Sequence, residues 1–252
     1  METLSRGSGP GSVASQLHLF GGPYVTVGAE RREVPEGSKR LLALLALRRT
    51  RVERSCAAGL LWPVVDERRA AGNLRSVLWR LRTAGLDLVG TDQLSLVLRD
   101  DVAVDVHAVN EWAYRLVCDS ARVEDLTLRP WVDAALDLLP GWYDDWVIFE
   151  RERLRHRMLH ALEALSREFC AVGRFAEGLE AAMLAVSADP MRESAQRVLI
   201  EAHLSEGNLG EAGRAFAAFR RLILRDLGVP PSPALTGLLT AARIPLHADH
   251  FA

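Results

Sequence analysis

Hydrophobic and polar residues alternate over residues 17–27, LHLFGGPYVTV, on both sides of a Gly-Gly-Pro turn. Such alternation is typical of β-strands with one buried face, so this stretch predicts a short hairpin, to which ERREV can add a third strand. The pattern then changes to that of a strongly apolar helix with a basic end, KRLLALLALRR. We expect Ser38 to form the N-cap of this helix.

Two further helices and a second hairpin are predicted before residue 105. The segment VERSCAAGLLWP indicates a helix that Pro63 stops. Asp66 can cap a third helix, ERRAAGNLRSVLWRLRTAG, which ends at Gly85. The two β-rich runs of LDLVGTDQLSLVL flank a GTDQ turn and predict a hairpin.

The third helix has two contrasting faces. At about 100° per residue, four apolar side chains fall on one stripe that can anchor the helix: Leu74, Val77, Leu78 and Leu81. The opposite side carries Gly72, Ser76 and Trp79, with Arg75 on one edge and Asn73 and Arg80 on the other. Arg82 lies at the border, where its stem can pack while its guanidinium reaches outward. The pattern alone fits a solvated amphipathic helix or a surface that contacts a phosphate backbone.

The neighbouring elements favour the second interpretation. A helix pair, a longer third helix and a hairpin, preceded by a small sheet, describe a winged helix. In such folds the third helix enters the major groove, while the wing and nearby backbone groups hold phosphates. The GTDQ turn is acidic rather than basic, which argues against contact between the wing and DNA.

Helical patterns dominate after Asp105, and part of them repeats. Residues 161–182 align with residues 195–216 at an offset of 34. This offset pairs Leu165 with Leu199, Gly173 with Gly207, Glu177 with Glu211, and Ala181 with Ala215. An offset of this length, with a glycine turn between two helices, is typical of the tetratricopeptide repeat.

Charge divides the chain in the same way. Residues 30–100 contain 14 Lys+Arg against 9 Asp+Glu, whereas residues 101–252 contain 16 against 23. This asymmetry suggests two units with different partners. Because Lys39 is the only lysine, the arginine enrichment is not by itself an argument for DNA binding.

Several function classes are not expected. No apolar run approaches the roughly 18 residues of a membrane span, and the start METLSRGSGPGSVASQ does not resemble a secretory signal. The cysteines show no metal-type spacing, which favours a reducing cytoplasm. The GWYDDW stretch is interpreted as a turn that packs its tryptophans on the repeats rather than as an acidic site, and HADHFA as a disordered tail rather than a metal site. No catalytic arrangement stands out, so we do not expect an enzyme.

A family resemblance covers roughly residues 17–240. The blocks LHLFGGPYVTV, KRLLALLAL, GLLWP, AAGNLRSVLWRLR, LPGWYDDWVIFERERLRH and LGVPPSPAL resemble, in order, the bacterial transcriptional activation domain regulators, a group that includes the Streptomyces antibiotic regulatory proteins. The resemblance implies an α+β unit followed by an all-α unit. The first is an OmpR-type winged helix-turn-helix and the second a tetratricopeptide-like domain. It also implies an activator of transcription that binds double-stranded promoter DNA, often as a homodimer, and contacts RNA polymerase.

Domain boundaries and site residues follow from this resemblance. We expect a disordered segment over 1–15, the winged helix over 16–105, the helical activation domain over 106–243 and a tail over 244–252. The recognition helix maps to Asp66–Ala84. The expected DNA-facing residues are Asn73, Arg75, Ser76, Trp79, Arg80 and Arg82, with Arg54 and Lys39 as weaker phosphate candidates. The phosphate-loop motif is missing from the sequence, so no nucleotide site is assigned, and no cofactor or metal is expected. Two alternatives stay open: a protein-interaction scaffold that does not bind DNA, and a helical domain that senses a small ligand.

Overall fold

The computed structural model describes residues 15–118 and 120–244. The chain forms two compact units. The first contains the chain up to Val109 together with Leu138–Glu150, and the second contains Asn110–Asp137 and the chain from Arg151 onward. The predicted disordered segment and tail lie outside the described residues, except that Ser15 begins a strand and Ile244 follows the last helix.

Seven short strands of the first unit are described, and they form two sheets. They are β1 (Ser15–His18), β2 (Tyr24–Val27), β3 (Glu30–Glu33), β4 (Val52–Glu53), β5 (Val89–Thr91), β6 (Ser95–Leu98) and β7 (Val102–Val104). One sheet has the order β3-β2-β1-β7, with β1 and β7 parallel and the other pairs antiparallel. The other has the order β4-β6-β5 and is antiparallel throughout. Both predicted hairpins and the third strand are confirmed, whereas β4 and β7 were not predicted.

Three helices lie between the two hairpins: α1 (Glu36–Arg48), α2 (Arg54–Leu61) and α3 (Glu67–Thr83). The capping prediction for α3 is confirmed, because the Asp66 carboxylate accepts the backbone N–H of Arg69 at 2.9 Å. The prediction for Ser38 is wrong. Helix α1 begins at Glu36, after Pro35, whose ring fixes φ and whose carbonyl accepts the N–H of Ser38 at 2.7 Å. The buried Ser38 hydroxyl instead donates to the Val77 carbonyl of α3 at 3.2 Å.

Seven helices are described in the rest of the chain, and four of them form the predicted repeat. The seven are α4 (Asp105–Val117), α5 (Val132–Leu136), α6 (Asp145–Ala171), α7 (Phe175–Ala188), α8 (Glu193–Glu206), α9 (Leu209–Leu227) and α10 (Pro233–Ala241). A short 3-10 turn, Val123–Asp125, follows α4. Gly173 and Gly207 separate the paired helices with φ of 78° and 85°, so the predicted turn glycines are confirmed in a left-handed conformation that favours glycine.

The helices of the first repeat approach each other closely at Gly178. A Cβ at Gly178 would lie 2.6 Å from Cys170 Sγ and 3.1 Å from the Ser166 carbonyl oxygen. The buried Ser166 hydroxyl donates to the Gly178 carbonyl at 2.7 Å. This contact joins α6 to α7 without space for a side chain.

The GWYDDW stretch differs from its prediction. Residues 138–150 belong to the first unit rather than to the repeats. The Asp144 carboxylate is paired with the Arg40 guanidinium of α1. Sequence periodicity could not identify this partner, because it lies about a hundred residues earlier in the chain.

Candidate nucleic-acid interface

Helix α3 is anchored by its predicted apolar stripe. Leu74, Val77, Leu78 and Leu81 are buried, and Ala70 extends the stripe by one turn. Burial of such side chains stabilises the helix in its place by roughly 1.5–3 kcal/mol each. The position of the opposite face is therefore fixed by the core of the first unit.

The predicted DNA-facing residues lie together on that opposite face. Arg75, Ser76, Trp79 and Arg80 are exposed, and Asn73 is half-buried. Trp79 is 66% exposed, an unusual state for so large an apolar ring. The Ser76 hydroxyl donates to the Gly72 carbonyl within the helix at 3.1 Å. Its oxygen can therefore still accept a hydrogen bond from outside the protein.

Four arginines of α3 carry guanidinium groups that make no hydrogen bond or ion pair with any described residue: Arg68, Arg69, Arg75 and Arg80. Glu67 is the only acidic residue within the helix. By contrast, many arginines elsewhere in the described chain are paired with carboxylates, as Arg115 is with Asp125. The positive charge of α3 is therefore available to an anion outside the protein.

Two glycines shape the space around these arginines. A Cβ at Gly37, in the first turn of α1, would lie 2.6 Å from Arg80 Nη1, so the guanidinium would have to shift if a side chain were present there. Gly72 lies inside α3, where a Cβ would meet only Arg75 Nη2, at 3.8 Å. Nothing in the described part of the first unit requires a glycine at position 72, although glycine weakens a helix interior.

The other three predicted residues have partners inside the protein. Arg82 donates to the Thr91 hydroxyl of the second hairpin at 3.2 Å. Arg54 donates from Nη1 to the Asp92 carbonyl at 3.2 Å, and its backbone N–H donates to the Leu94 carbonyl at 2.9 Å. Lys39 is paired with Glu36, one turn earlier in α1, at 2.6 Å. These contacts do not prevent phosphate binding. Lys39 is the least available of the eight predicted residues, because it is already paired with a carboxylate and its side chain is only 23% exposed.

The acidic turn of the second hairpin is satisfied internally. The Asp92 carboxylate accepts the backbone N–H groups of Leu94 and Ser95 at 2.8 and 2.6 Å and the Ser95 hydroxyl at 2.7 Å. Arg51 pairs with the same carboxylate at 2.7 Å. The bonds from Ser95 and Leu94, reinforced by the charge of Arg51, lower the pKa of Asp92 to about 2. The negative charge at this turn is consequently balanced before any partner arrives.

A cavity of about 1090 Å³ lies between α2, α3 and the hairpin turn. Its polar lining consists of Arg54, Ser55, Glu67, Arg75, Thr91, Asp92 and Gln93, and its apolar lining includes Trp62, Val65 and Leu74. Arg75 therefore borders both the exposed face of α3 and this cavity. Sequence reasoning missed Arg68 and Arg69, and it did not place Gln93 in the lining of this cavity. The helical position of Arg68 and Arg69 could have identified them. Nothing in the sequence showed that the charge of Asp92 is balanced by Arg51.

Other kinds of site find no support in the described ranges. No group of three or more His, Cys, Asp or Glu side chains among residues 15–118 and 120–244 could hold a metal ion. None of the helices described has the length and apolar character needed to cross a bilayer. Cys56, Cys118 and Cys170 are free thiols.

A winged helix with a basic third helix, followed in sequence by a helical repeat unit, is the architecture of a class of bacterial regulators. Comparison with known proteins supports the assignment of this chain to that class. The family model described as "bacterial transcriptional activator domain" matches residues 107–243, more than half of the chain. The chain belongs to this family, and the predicted family resemblance is confirmed.

Two similar proteins illustrate the relationship. The regulatory protein AfsR of Streptomyces griseus is 28% identical over 218 residues, which cover 80% of this chain and 22% of AfsR. The chain thus spans about a fifth of the length of that relative. The structure of Mycobacterium tuberculosis EmbR, in complex with a low-affinity phosphopeptide, is similar with a TM-score of 0.70 at 19% identity. That similarity covers 93% of this chain and 67% of EmbR, and it confirms the predicted winged helix and helical repeat architecture.

Proposed function

We propose that this protein is a sequence-specific DNA-binding transcriptional regulator that activates promoters. Helix α3 enters the major groove, with Asn73, Arg75, Ser76, Trp79 and Arg80 towards the bases. Arg54 and Arg82 contact phosphates, and Lys39 is a more distant phosphate contact. The observation that carries the proposal is the set of four unpaired guanidinium groups on the exposed face of a helix whose other face is anchored in the core.

Charge chemistry supports this assignment over a scaffold that does not bind DNA. An arginine can bind the O6 and N7 atoms of guanine with two hydrogen bonds, and it can also neutralise a phosphate. The exposed Trp79 ring and the open space above Gly72 suit close approach of a second surface. A scaffold that does not bind DNA does not require several unpaired cations on this one helix.

The other parts of the proposal concern the second unit and the cellular setting. The helical repeats would mediate homodimerisation, contact RNA polymerase or sense a signal, as the resemblance implies. Exposed apolar side chains of the second unit, Leu224, Leu227 and Val229, offer surface for such contacts. Promoter DNA as partner and three free thiols both favour the cytoplasm.

The proposal predicts that the arginines of α3 dominate DNA affinity. Binding sites are first selected from random duplexes, and affinity is then measured by fluorescence anisotropy across a salt series. The logarithm of the binding constant should fall linearly with the logarithm of salt concentration, with a slope of about −0.9 per phosphate contacted. Arg75→Ala and Arg80→Ala should each cost on the order of 1–3 kcal/mol and broaden the selected sequence.

Arg220→Ala and Arg221→Ala provide a matched control, because these α9 arginines also make no hydrogen bond or ion pair with described residues. They should leave affinity within about twofold of the unmodified protein. Failure of the unmodified protein to retain any duplex at low salt would reject the proposal in favour of the scaffold. Equal losses from the α3 and α9 pairs would indicate nonspecific attraction instead.

A further inference from the structure

Trp79 differs from the other apolar side chains of α3. The structure describes every residue of this helix, and within it Trp79 is the only exposed hydrophobic side chain larger than alanine. The buried stripe is complete without it, so the ring contributes little to anchoring the helix. A single exposed ring is common on protein surfaces and by itself indicates no function. What distinguishes Trp79 is the set of groups around it.

Trp79 lies between two arginines that have no partner within the described chain. At about 100° per residue, it is roughly 40° around the helix from Arg75 on one side and about 100° from Arg80 on the other. Neither guanidinium makes a hydrogen bond or ion pair with a described residue. Ser76, on the Arg80 side, directs its hydroxyl hydrogen to the Gly72 carbonyl at 3.1 Å. The outward face therefore has an apolar centre with charged donors at both edges.

The major groove of B-DNA offers one kind of partner to an apolar ring in this position. The base edges there carry hydrogen-bond donors and acceptors, and the apolar group among them is the C5 methyl group of thymine. Contact with any other base edge would remove water from polar atoms to which the carbon face of the indole cannot bond, and this costs free energy. A thymine methyl group against the ring avoids that cost and buries apolar surface on both sides.

The spacing along α3 indicates where that thymine lies. Four residues separate Arg75 from Trp79, which corresponds to a rise of about 6 Å along the helix, whereas successive base pairs are about 3.4 Å apart. A base contacted by Trp79 would therefore lie within about two base pairs of the base contacted by Arg75.

We propose that Trp79 is a specificity-determining residue that selects thymine, because its indole packs against the C5 methyl group of a base within about two base pairs of the Arg75 contact. This inference rests on the proposed function. It assigns the ring to DNA rather than to a second protein, because the unpaired guanidinium groups of Arg75 and Arg80 on either side match guanine and phosphate.

The experiment uses the full chain and a selected duplex in which each thymine is replaced in turn by deoxyuridine. Deoxyuridine lacks the methyl group and keeps the hydrogen-bonding groups of thymine. Replacement at one position, within about two base pairs of the Arg75 contact, should weaken binding about fourfold, the effect of one buried methyl group. The Arg75 contact is located as the base pair at which Arg75→Ala loses its preference.

Trp79→Ala should weaken binding to the thymine duplex about tenfold and should bind the deoxyuridine duplex equally well, because the partner of the methyl group is gone. The slope of affinity against salt should stay unchanged, because no phosphate contact is lost. Trp79→Phe should keep the preference for thymine, because phenylalanine retains an apolar ring without the indole N–H donor.

Tyr114→Ala is the matched control, because Tyr114 is an aromatic residue of α4 that is exposed to a similar extent, 63% against 66% for Trp79. It should keep the fourfold preference for thymine. Deoxyuridine duplexes that all bind as tightly as the thymine duplex, or a Trp79→Ala protein that still prefers thymine, would overturn the inference. A changed salt slope in Trp79→Ala would overturn it too, since the indole would then contact a phosphate. In each of these cases DNA binding by the unmodified protein still supports the proposed function, whereas binding to no duplex at all rejects both.

Discussion

At the scale of single residues, Gly72 and the arginines around it show how α3 is divided between stability and contact. Gly72 has no described neighbour closer than Arg75 Nη2 to exclude a methyl group, and its φ is not in the left-handed region. The helix therefore gives up stability at a position where alanine would fit. This choice makes sense if another molecule approaches the helix closely at this point.

Gly72→Ala should raise the free energy of unfolding of the first unit by about 0.5–1 kcal/mol, because alanine loses less backbone entropy in a helix. It should also weaken DNA binding by roughly tenfold, since the added methyl group would displace about one base contact. Urea unfolding and anisotropy titration measure the two effects.

Gly237→Ala in α10 is the control, because a Cβ there meets nothing within 4 Å. It should stabilise the helical unit similarly and leave DNA affinity unchanged. A Gly72→Ala protein that is more stable and binds DNA as well as before would show that Gly72 does not lie in the interface.

At the scale of elements, one buried ion pair joins α4 to the 3-10 turn that follows it. Arg115 donates two hydrogen bonds of 2.7 Å to Asp125, whose carboxylate is 5% exposed and also accepts the Arg122 N–H at 3.0 Å. The Trp112 indole N–H donates to the Asp125 carbonyl at 3.0 Å. The bond from Arg115, which outweighs the opposing effect of burial, lowers the pKa of Asp125 to about 2.

Asp125→Asn should lower the free energy of unfolding near neutral pH by about 2 kcal/mol. The unfolded carboxyl titrates near 4 and the folded one at about 2. The contribution of Asp125 is therefore complete above pH ~5 and disappears as the pH falls towards ~2, since protonation breaks the pair. Urea unfolding of both proteins across this range should give curves that converge at low pH. Asp133→Asn, at an exposed position of α5, should stay parallel to the unmodified protein, and convergence there would point to a nonspecific charge effect.

Sequence patterns predicted the longer elements of this fold and only part of its candidate site. The stripe of Leu74, Val77, Leu78 and Leu81 was predictable because it depends only on helical spacing. Strands β4 and β7 were not, because two or three residues carry no periodic pattern and their partners are distant in sequence. The ionic state of the site was hidden for the same reason. The sequence cannot show that Arg75 has no partner, or that the charged Asp92 carboxylate is paired with Arg51, because both depend on tertiary neighbours.

At the scale of the whole molecule, the first unit is discontinuous in sequence, because Leu138–Glu150 belongs to it and residues 110–137 do not. A boundary at residue 105, as the sequence suggests, would therefore separate Asp144 from its partner Arg40. The side chains of this pair are 40% exposed for Arg40 and 21% for Asp144, which limits its energetic value.

A double-mutant cycle in the full chain tests this division. Arg40→Ala and Asp144→Ala should each lower the local stability of α1, measured by amide hydrogen exchange, and their effects should be coupled by about 0.5–1 kcal/mol. The exchange of α8 and α9 amides, in the other unit, should not change. Additive effects of the two substitutions would show that the pair contributes nothing to holding residues 138–150 in the first unit.

The pairing of β1 with β7 has a consequence for the order in which the protein is made. Ser15 pairs with Val102, and the Asp105 carboxylate accepts the N–H groups of Leu19 and Phe20 at 2.9 and 3.1 Å. During synthesis the first hairpin leaves the ribosome long before its parallel neighbour, so its free edge can meet other chains in the interval. The short length of the outer strand, Glu30–Glu33, and the charge on each of its four residues would discourage such contacts at the opposite edge. A nascent chain that stops before residue 102 lacks β7 and would thus retain an open sheet edge, which distinguishes it from the folded unit.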